Sequence, residues 1–253
     1  MRSIWKGSIN FGLVNIPVKL YSATQKSSLD LDMVDPRDMS RVRYKRVNEN
    51  TGEEIEYGDI AKAYNYKGDY VLLEDEDFEA AAPEKSKTID VNHFVEEDEI
   101  DTIYYENSYY IEPEKQGEKA YALLREALKK SGKVGVAQFV LRTTETLAVI
   151  KPMENTLVLS KIRFAQEIRS TEELNLPAKS LVKNEELKMA MTLIDQYSKP
   201  FTIEKYKNEY ASTLMKVVKA KASGKKAPAK KPKARQRQTQ DLMDQLKASL
   251  SEK

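Results

Sequence analysis

Basic side chains without acidic neighbours are the residues whose type and spacing point most directly to a chemistry. Positions 219–237 hold nine of them and no acid: Lys219, Lys221, Lys225, Lys226, Lys230, Lys231, Lys233, Arg235 and Arg237. The whole chain carries a formal net charge of only +2, so the residues before this segment are net acidic. A basic segment after an acidic body is typical of a protein that binds a polyanion, either a nucleic acid or an anionic membrane.

A second basic group lies early in the chain. Arg41, Arg43 and Lys45 alternate with apolar residues, with Arg37 just before them. This alternation predicts a strand over residues 41–47 with the cations on one face. Alternate residues of a strand are about 6–7 Å apart, near the phosphate repeat along one strand of a duplex. The same cations fit a solvated face equally well, paired with nearby acids: Glu49, Glu53, Glu54 and Glu56.

The residues that most enzymes need are sparse. The chain has no cysteine and a single histidine, His93. Disulfides, thiolate zinc sites and cysteine nucleophiles are therefore excluded, and a histidine-based site depends on one residue. The Gly224-Lys225 pair lacks the spacing of a phosphate-binding loop. We expect a protein that is not an enzyme, with no catalytic residues, no metal and no cofactor.

The cellular compartment is constrained by three absences. No run of about 18 apolar residues occurs, so no membrane span is expected. Residues 1–7 lack the apolar core of a secretory signal. Together with the lack of cysteine, these features favour the cytoplasm.

Patterns typical of β structure dominate the body of the chain. Residues 9–20 are apolar at odd positions up to Leu13 and at even positions from Val14, which predicts a bulge or bend near residues 12–14. Bent strands of this kind favour a barrel. Further strands are expected over residues 87–95 and 102–111, and an antiparallel meander over residues 134–142, 147–151 and 157–164. We assign Trp5, Phe11 and Tyr21 to the core.

Helical periodicity marks the remaining elements. It predicts a short helix over residues 74–82, a longer one over 114–131, and two more over 185–198 and 203–221. Tyr206, Tyr210 and Leu214 share a stripe of the last of these. Residues 220–234 hold too few apolar groups to pack, so disorder is expected there. Leu242, Leu246 and Leu250 restore helical spacing, and that terminal helix either binds a partner or docks on its own body.

Several ordered motifs resemble the bacterial Ku family. The opening residues 3–21, SIWKGSINFGLVNIPVKLY, resemble its N-terminal signature, and residues 43–46, RYKR, resemble its next block. Residues 109–113 and 119–128, YYIEP and KAYALLREAL, continue the match, as do GVAQFVLR at 135–142 and LVL at 157–159. EKYKNEY at 204–210 and DLM at 241–243 resemble its C-terminal elements. The chain departs from the pattern over residues 27–40 and 48–50, where many relatives carry histidines or a cysteine.

The resemblance implies a mixed β and α fold. It comprises a Ku-type β-barrel with a bridge that forms a ring in a homodimer, a helical C-terminal region and a disordered basic tail. The boundaries expected are residues 1–180 for the barrel and bridge, 181–221 for the helical region and 222–253 for the tail with its terminal helix. The ring is expected to thread over double-stranded DNA ends without reading sequence, to protect and bridge them, and to recruit DNA ligase D in non-homologous end joining. A nucleoid-associated location follows.

Residue roles follow from the resemblance by position. The duplex-lining role falls on Arg37, Arg41, Arg43, Lys45 and Arg46, and on four cations of the meander, which we place in the bridge: Arg142, Lys151, Lys161 and Arg163. The nine basic residues of the tail add phosphate contacts. Ligase recruitment falls on the C-terminal region, and the candidate partner-binding residues are Tyr206, Tyr210, Leu214, Leu242, Leu246 and Leu250.

Two other classes of function compete with this interpretation. A nucleoid-type DNA-coating protein would bind mainly through the basic tail and would need no DNA end. A nuclease would need a catalytic inventory that the sequence does not display.

Overall fold

A closed barrel of seven strands forms the first of two compact units into which the chain divides. The computed structural model describes residues 1–81, 87–142, 144–225 and 242–251. The first unit comprises Met1–Lys26 with Asp32–Arg169, and the second comprises Ser27–Leu31 with Ser170–Lys253.

The barrel is assembled mainly from neighbouring antiparallel strands. The strands of the chain, in order, are β1 (Trp5–Phe11), β2 (Val14–Ser22), β3 (Lys62–Tyr66), β4 (Asp69–Leu73), β5 (Thr88–Glu96), β6 (Tyr105–Pro113), β7 (Lys133–Leu141), β8 (Thr144–Met153) and β9 (Thr156–Ile162). The barrel follows the order β1-β2-β6-β9-β8-β7-β5 and closes through a parallel β1–β5 pair. The expectation of a barrel in a mixed β and α fold is therefore confirmed, and so is the antiparallel meander, here β7 to β9.

The change of parity after Leu13 marks a hairpin rather than a bulge. β1 pairs with β2 along its whole length, from Trp5↔Leu20 to Phe11↔Val14, around a turn at Gly12 and Leu13. Gly12 has a φ of 56°, the left-handed region that glycine adopts without strain. The bent continuous strand expected from the sequence is therefore wrong, although the apolar pattern that prompted it is real.

The core lies inside the barrel and against one helix. α2 (Glu118–Ser131) contacts β2 as well as β7 and β8, so it closes one end of the barrel. Its Tyr121 hydroxyl donates to the Ile111 carbonyl at 2.8 Å and accepts from the Leu157 amide at 2.7 Å, which fixes the helix to the β6 and β9 strands. Gly132 ends the helix with a φ of 69°, as predicted.

The aromatic residues assigned to the core divide into two groups. Trp5 and Phe11 pack against the buried cluster, and the Trp5 indole donates to the Val140 carbonyl at 3.2 Å. Tyr21 is not a core residue, because its hydroxyl donates to the Glu112 carboxylate at 2.6 Å in an exposed pair. The alternation of β2 explains the difference, since Ile16, Val18 and Leu20 take the inward positions.

A long excursion leaves the barrel between β2 and β5. We call its residues 32–81 the arm. The arm carries an antiparallel hairpin of β3 and β4, joined by Lys67 and Gly68 at positive φ, and ends in α1 (Asp75–Ala81). The helix matches the sequence expectation, whereas the hairpin was not anticipated.

Three α-helices are the main elements of the described residues of the second unit. They are α3 (Asn184–Tyr197), α4 (Glu209–Ala222) and α5 (Leu242–Ser251). α4 begins at Glu209 because Asn208 caps it, accepting from the Ala211 amide. The helix predicted from residue 203 is therefore too long at its start, and the intervening residues form a short 3-10 turn at Ile203–Lys205.

Candidate nucleic-acid interface

The arm holds its cations on irregular backbone rather than on a strand. Residues 42–46 pair with no neighbouring strand, and only the isolated bridges Val34↔Arg41 and Val47↔Glu54 flank them. Tight turns precede and follow: the Met39 amide donates to the Asp35 carbonyl, and the Gly52 amide to the Asn48 carbonyl. The predicted strand over residues 41–47 is therefore wrong. Alternation alone supplies no partner strand, and the single flat face of cations is lost with it.

Three arm cations are paired with carboxylates. Arg37 contacts Asp35, Arg41 contacts Asp32 at 3.1 Å, and Lys45 contacts Glu54. The side chain of each cation is more than two thirds exposed.

The other two cations of residues 37–46 have no carboxylate within salt-bridge distance in the described parts of the chain. The Arg46 guanidinium lies 5.0 Å from the centre of the Tyr57 ring, and Arg43 has no side-chain partner among the described residues. The structure thus brings the five predicted cations of residues 37–46 into one segment and leaves two of them, Arg43 and Arg46, without a competing acid.

The meander cations lie on the barrel itself. The sequence placed Arg142, Lys151, Lys161 and Arg163 in a bridge, and that placement is wrong, because β7, β8 and β9 are three of the seven barrel strands. Lys151 binds Glu97, and Arg142 occupies the β7–β8 turn with a φ of 65°.

Glu106 on β6 neutralises two of the meander cations. Its carboxylate lies 2.9 Å from the Lys161 ammonium and 3.1 Å from the Arg163 guanidinium. Arg163 also donates to the carbonyls of Ile103 and Tyr105, so its side chain braces the start of β6. The hydrogen bond from Lys161, and then the two nearby positive charges, hold the pKa of Glu106 below its ordinary value.

We expect Glu106→Gln to lower the melting temperature near neutral pH by a few degrees, because pairs of this kind contribute about 1 kcal/mol or less. A carboxylate with a lowered pKa stabilises the fold above its ordinary pKa of about 4.3, and this contribution is lost as the pH falls through the folded-state value. Melting curves of both proteins at neutral pH and near pH 3 test this. The gap should close in acid, and an equal gap at both pH values would contradict the assignment.

The basic tail is described only in part. Lys219 and Lys221 occupy the last turn of α4, where positive charge is favoured by the helix dipole, and Lys225 is exposed just beyond it. The remaining tail cations lie outside the described residues: Lys226, Lys230, Lys231, Lys233, Arg235 and Arg237. The expected disorder of residues 220–234 also falls largely outside them, although residues 220–222 belong to α4.

The candidate partner-binding residues are spread over several elements of the second unit. Tyr210 and Leu214 lie on α4, whereas Tyr206 precedes that helix and stacks on Phe201 with ring centres 5.7 Å apart. α5, which carries Leu242, Leu246 and Leu250, contacts α3. The terminal helix therefore packs on a helix of its own chain, and partner binding by its leucines stays a prediction.

Sequence reasoning missed an exposed apolar surface of the arm, the β3–β4 hairpin. On the β3–β4 hairpin Tyr64, Tyr66 and Tyr70 are all more than half exposed, as is Leu72. The signal for this hairpin was present, because a turn containing glycine, here Lys67-Gly68, separates two runs rich in tyrosine and β-branched or apolar residues.

The described residues contain neither a helix suited to span a membrane nor a cluster of potential metal ligands. No helix among them is both long and apolar enough to cross a bilayer. Within the same parts of the chain, no three histidine, aspartate or glutamate side chains are grouped as metal ligands would be.

Comparison with known proteins gives a consistent result. Residues 10–189 match the family model described as the Ku70/Ku80 beta-barrel domain. A Coxiella burnetii protein named Non-homologous end joining protein Ku is 42% identical, over 100% of this chain and 95% of its own length. Proteins of the same name from Archaeoglobus fulgidus and Bacillus subtilis are 38% and 39% identical, over 99% of this chain and 98% and 82% of their own lengths.

Proposed function

This chain belongs to the Ku family, and we propose that it binds the ends of double-stranded DNA as a ring-shaped homodimer in non-homologous end joining. Its relatives carry non-homologous end joining in their names. The arm carries the proposal. It is a long excursion from a closed barrel, and it combines cations with an exposed aromatic hairpin.

The arm accounts for two separate requirements of a ring. Cations on it can neutralise phosphates without contacting base edges, so binding is independent of sequence. The hairpin can supply the subunit contact, because a two-stranded sheet exposed on both faces is marginally stable in water until something covers it. A second copy of the arm is the simplest cover, since a two-fold interface buries the same patch on both subunits.

The barrel cations play a smaller part in this proposal. Lys151, Lys161 and Arg163 are each held by a carboxylate at less than two fifths exposure, and Arg163 is also held by backbone carbonyls. We assign the principal duplex contacts to the arm, and retain Arg142, which has no acidic partner among the described residues, as a further candidate on the barrel.

The second unit is the proposed recruitment site for DNA ligase D. Tyr206, Tyr210 and Tyr197 are exposed by more than two thirds, a large aromatic content for a surface of this size. Exposed aromatic side chains are enriched where proteins bind one another. The tail that follows α4 adds phosphate contacts that need no DNA end.

Competition between linear and covalently closed circular DNA tests the ring. We expect the full chain to bind a linear duplex and to load poorly on a closed circle of the same sequence. A chain ending at Gly224 keeps α4 and loses seven of the nine tail cations. It should retain the preference for ends with a shallower salt dependence.

The truncated chain also separates the two candidate functions. A DNA-coating protein that binds through its tail would lose nearly all affinity when cut at Gly224, and would bind circles and linear duplexes alike. Equal affinity of the truncated chain for linear and closed DNA would contradict the ring.

A further inference from the structure

Three acids of the arm each form an ion pair with one of the candidate phosphate-binding cations: Asp32, Asp35 and Glu54. Asp35 is the most complete partner, because it accepts from the Arg37 backbone amide at 2.9 Å and from the guanidinium Nε at 3.0 Å. These hydrogen bonds hold the pKa of Asp35 below its ordinary value, so it is a carboxylate at neutral pH. Asp32 and Glu54 hold Arg41 and Lys45 through single contacts.

Arg43 lies between the paired cations Arg41 and Lys45, Arg46 directly follows Lys45, and both differ from the paired cations. Neither has a carboxylate within salt-bridge distance in the described parts of the chain, and Arg46 lies over the Tyr57 ring. Within one short segment, therefore, two cations are available to an incoming anion at once and three are already neutralised.

We propose that Asp32, Asp35 and Glu54 act as internal substitutes for DNA phosphates and are displaced when the duplex enters. Arg43 and Arg46 then take phosphates directly, while Arg37, Arg41 and Lys45 exchange a carboxylate for a phosphate. This inference rests on the proposed function, since it needs a duplex beside the arm.

The exposure of these pairs makes the exchange feasible. In each pair the cation is more than two thirds exposed, and exposed ion pairs contribute little to stability. The Glu106 pairs of the barrel differ, because their cations are only 32% and 35% exposed and Arg163 has carbonyl partners as well. The arm pairs are therefore the ones that a phosphate can replace.

Ion exchange of this kind leaves a signature in the salt dependence of binding. A free cation that binds a phosphate releases a counterion from the duplex, which contributes about 0.9 to the slope of log affinity against log salt concentration. A paired cation releases the same counterion, but its abandoned carboxylate stays beside the duplex, and salt weakens the repulsion between that carboxylate and the phosphates. The two effects largely cancel, so a paired cation contributes little to the slope.

The decisive variant is the full chain carrying Asp32→Asn, Asp35→Asn and Glu54→Gln. The amides keep the shape and an acceptor oxygen but lose the charge, so the turn around Arg37 is retained. With a blunt linear duplex as probe, we expect binding at least about tenfold tighter near physiological salt. We also expect a slope steeper by roughly 2 units for every pair that exchanges in both subunits of a dimer.

A matched control removes the same charge from the same arm. Glu49, Glu53 and Glu56 have no cation within salt-bridge distance among the described residues, so Glu49→Gln, Glu53→Gln and Glu56→Gln free nothing. The control should change affinity only slightly and leave the slope near that of the parent. If both triple variants tighten binding equally and with equal slopes, simple charge repulsion explains the result and the inference is wrong.

Two single variants of the parent separate the classes of cation. Arg43→Gln should reduce the slope by roughly 2 units, since each subunit loses a free cation, whereas Lys45→Gln should leave it nearly unchanged. Equal reductions of the slope by the two variants would contradict the exchange of carboxylates for phosphates. If the parent protein does not bind the linear duplex at all, the proposed function is wrong. If the parent binds but every variant shows the same slope as the parent, only the exchange of carboxylates for phosphates is wrong.

Discussion

Adding one methyl group at position 7 is expected to lower the melting temperature of the protein by about 6–12 °C. A Cβ at Gly7 would lie 2.1 Å from the Lys87 carbonyl oxygen and 2.3 Å from the Trp5 ring. Overpacking at rigid positions costs about 3 kcal/mol, and each kcal/mol shifts the melting temperature of a domain of this size by about 2–4 °C.

The clash is costly because the atoms it meets are held from several sides. The Lys87 carbonyl accepts from the Ser8 amide at 2.9 Å, at the start of the β1–β5 pair that closes the barrel. That parallel pair is only three residues long, from Ser8↔Thr88 to Asn10↔Asp90. The Trp5 ring packs edge-on against Phe139 at 5.8 Å. Relief of the clash therefore requires either separation of β1 from β5 or displacement of the Trp5 indole from its packed position.

Gly58→Ala is the matched control. Position 58 has an ordinary backbone conformation, and a Cβ there meets nothing within 4 Å. Its melting temperature should stay the same or rise slightly, because alanine reduces the entropy of the unfolded chain. Thermal melts followed by circular dichroism compare the two variants. If the Gly7→Ala protein has the same melting temperature as the parent, the β1–β5 pair accommodates the extra methyl group at little cost in stability.

Much of the barrel could be predicted because its signals are local. The strands β7 to β9 follow one another closely, so antiparallel pairing requires only short turns. α2 was predicted because its apolar stripe is regular and Gly132 marks its end. These features depend on residues within a few positions of one another.

The closure of the barrel could not be predicted, because it joins residues far apart in sequence. The β1–β5 seam pairs Ser8 with Thr88 across the whole arm, and no local pattern encodes that parallel contact. The steric requirement at Gly7 follows from the same seam. Sequence alone shows a glycine in a strand but not the carbonyl that excludes a side chain there.

The candidate site was predicted in composition but not in geometry. The five cations of residues 37–46 do lie in one segment of the arm, yet the alternation at Arg41, Arg43 and Lys45 predicts a strand that is not formed. Two interpretations, phosphate binding and pairing with acids, were left open by the sequence. Lys45 pairs with Glu54, one of the acids considered, whereas Arg41 pairs with Asp32, which lies nine residues before it. Only the fold of the turns selects between such partners.

Charging one face of the β3–β4 hairpin is expected to convert the proposed dimer into a monomer. Tyr64 and Val71 are directly opposed on one face and are 65% and 49% exposed. On the other face, Tyr70 and Leu72 are 75% and 65% exposed. A two-stranded sheet with apolar side chains this exposed is stable only when another surface packs on it. In a two-fold interface the same side chains of both subunits would be buried.

Each face can be tested without destroying the hairpin. Tyr64→Lys with Val71→Glu places opposite charges across the strands, which supports the pairing while it makes burial costly. Tyr70→Lys with Leu72→Glu charges the other face, where the two residues are neighbours along β4 opposite Asn65 and Ala63. Loss of four apolar side chains per dimer should raise the dissociation constant at least about 1000-fold. The mass in solution at micromolar concentration, measured by sedimentation, is the readout.

The control variant charges apolar residues that are exposed outside the arm. Leu13→Lys with Leu123→Glu charges two residues of the barrel unit outside the arm that are each more than two thirds exposed, and it should leave the mass unchanged. At least one hairpin variant should sediment as a monomer and bind a linear duplex about 100-fold more weakly, because an open arm cannot encircle DNA. If the parent dimerises and neither hairpin variant changes its mass, the hairpin is not the subunit contact. If the parent itself is a monomer, the ring is excluded, because one arm cannot close around a duplex.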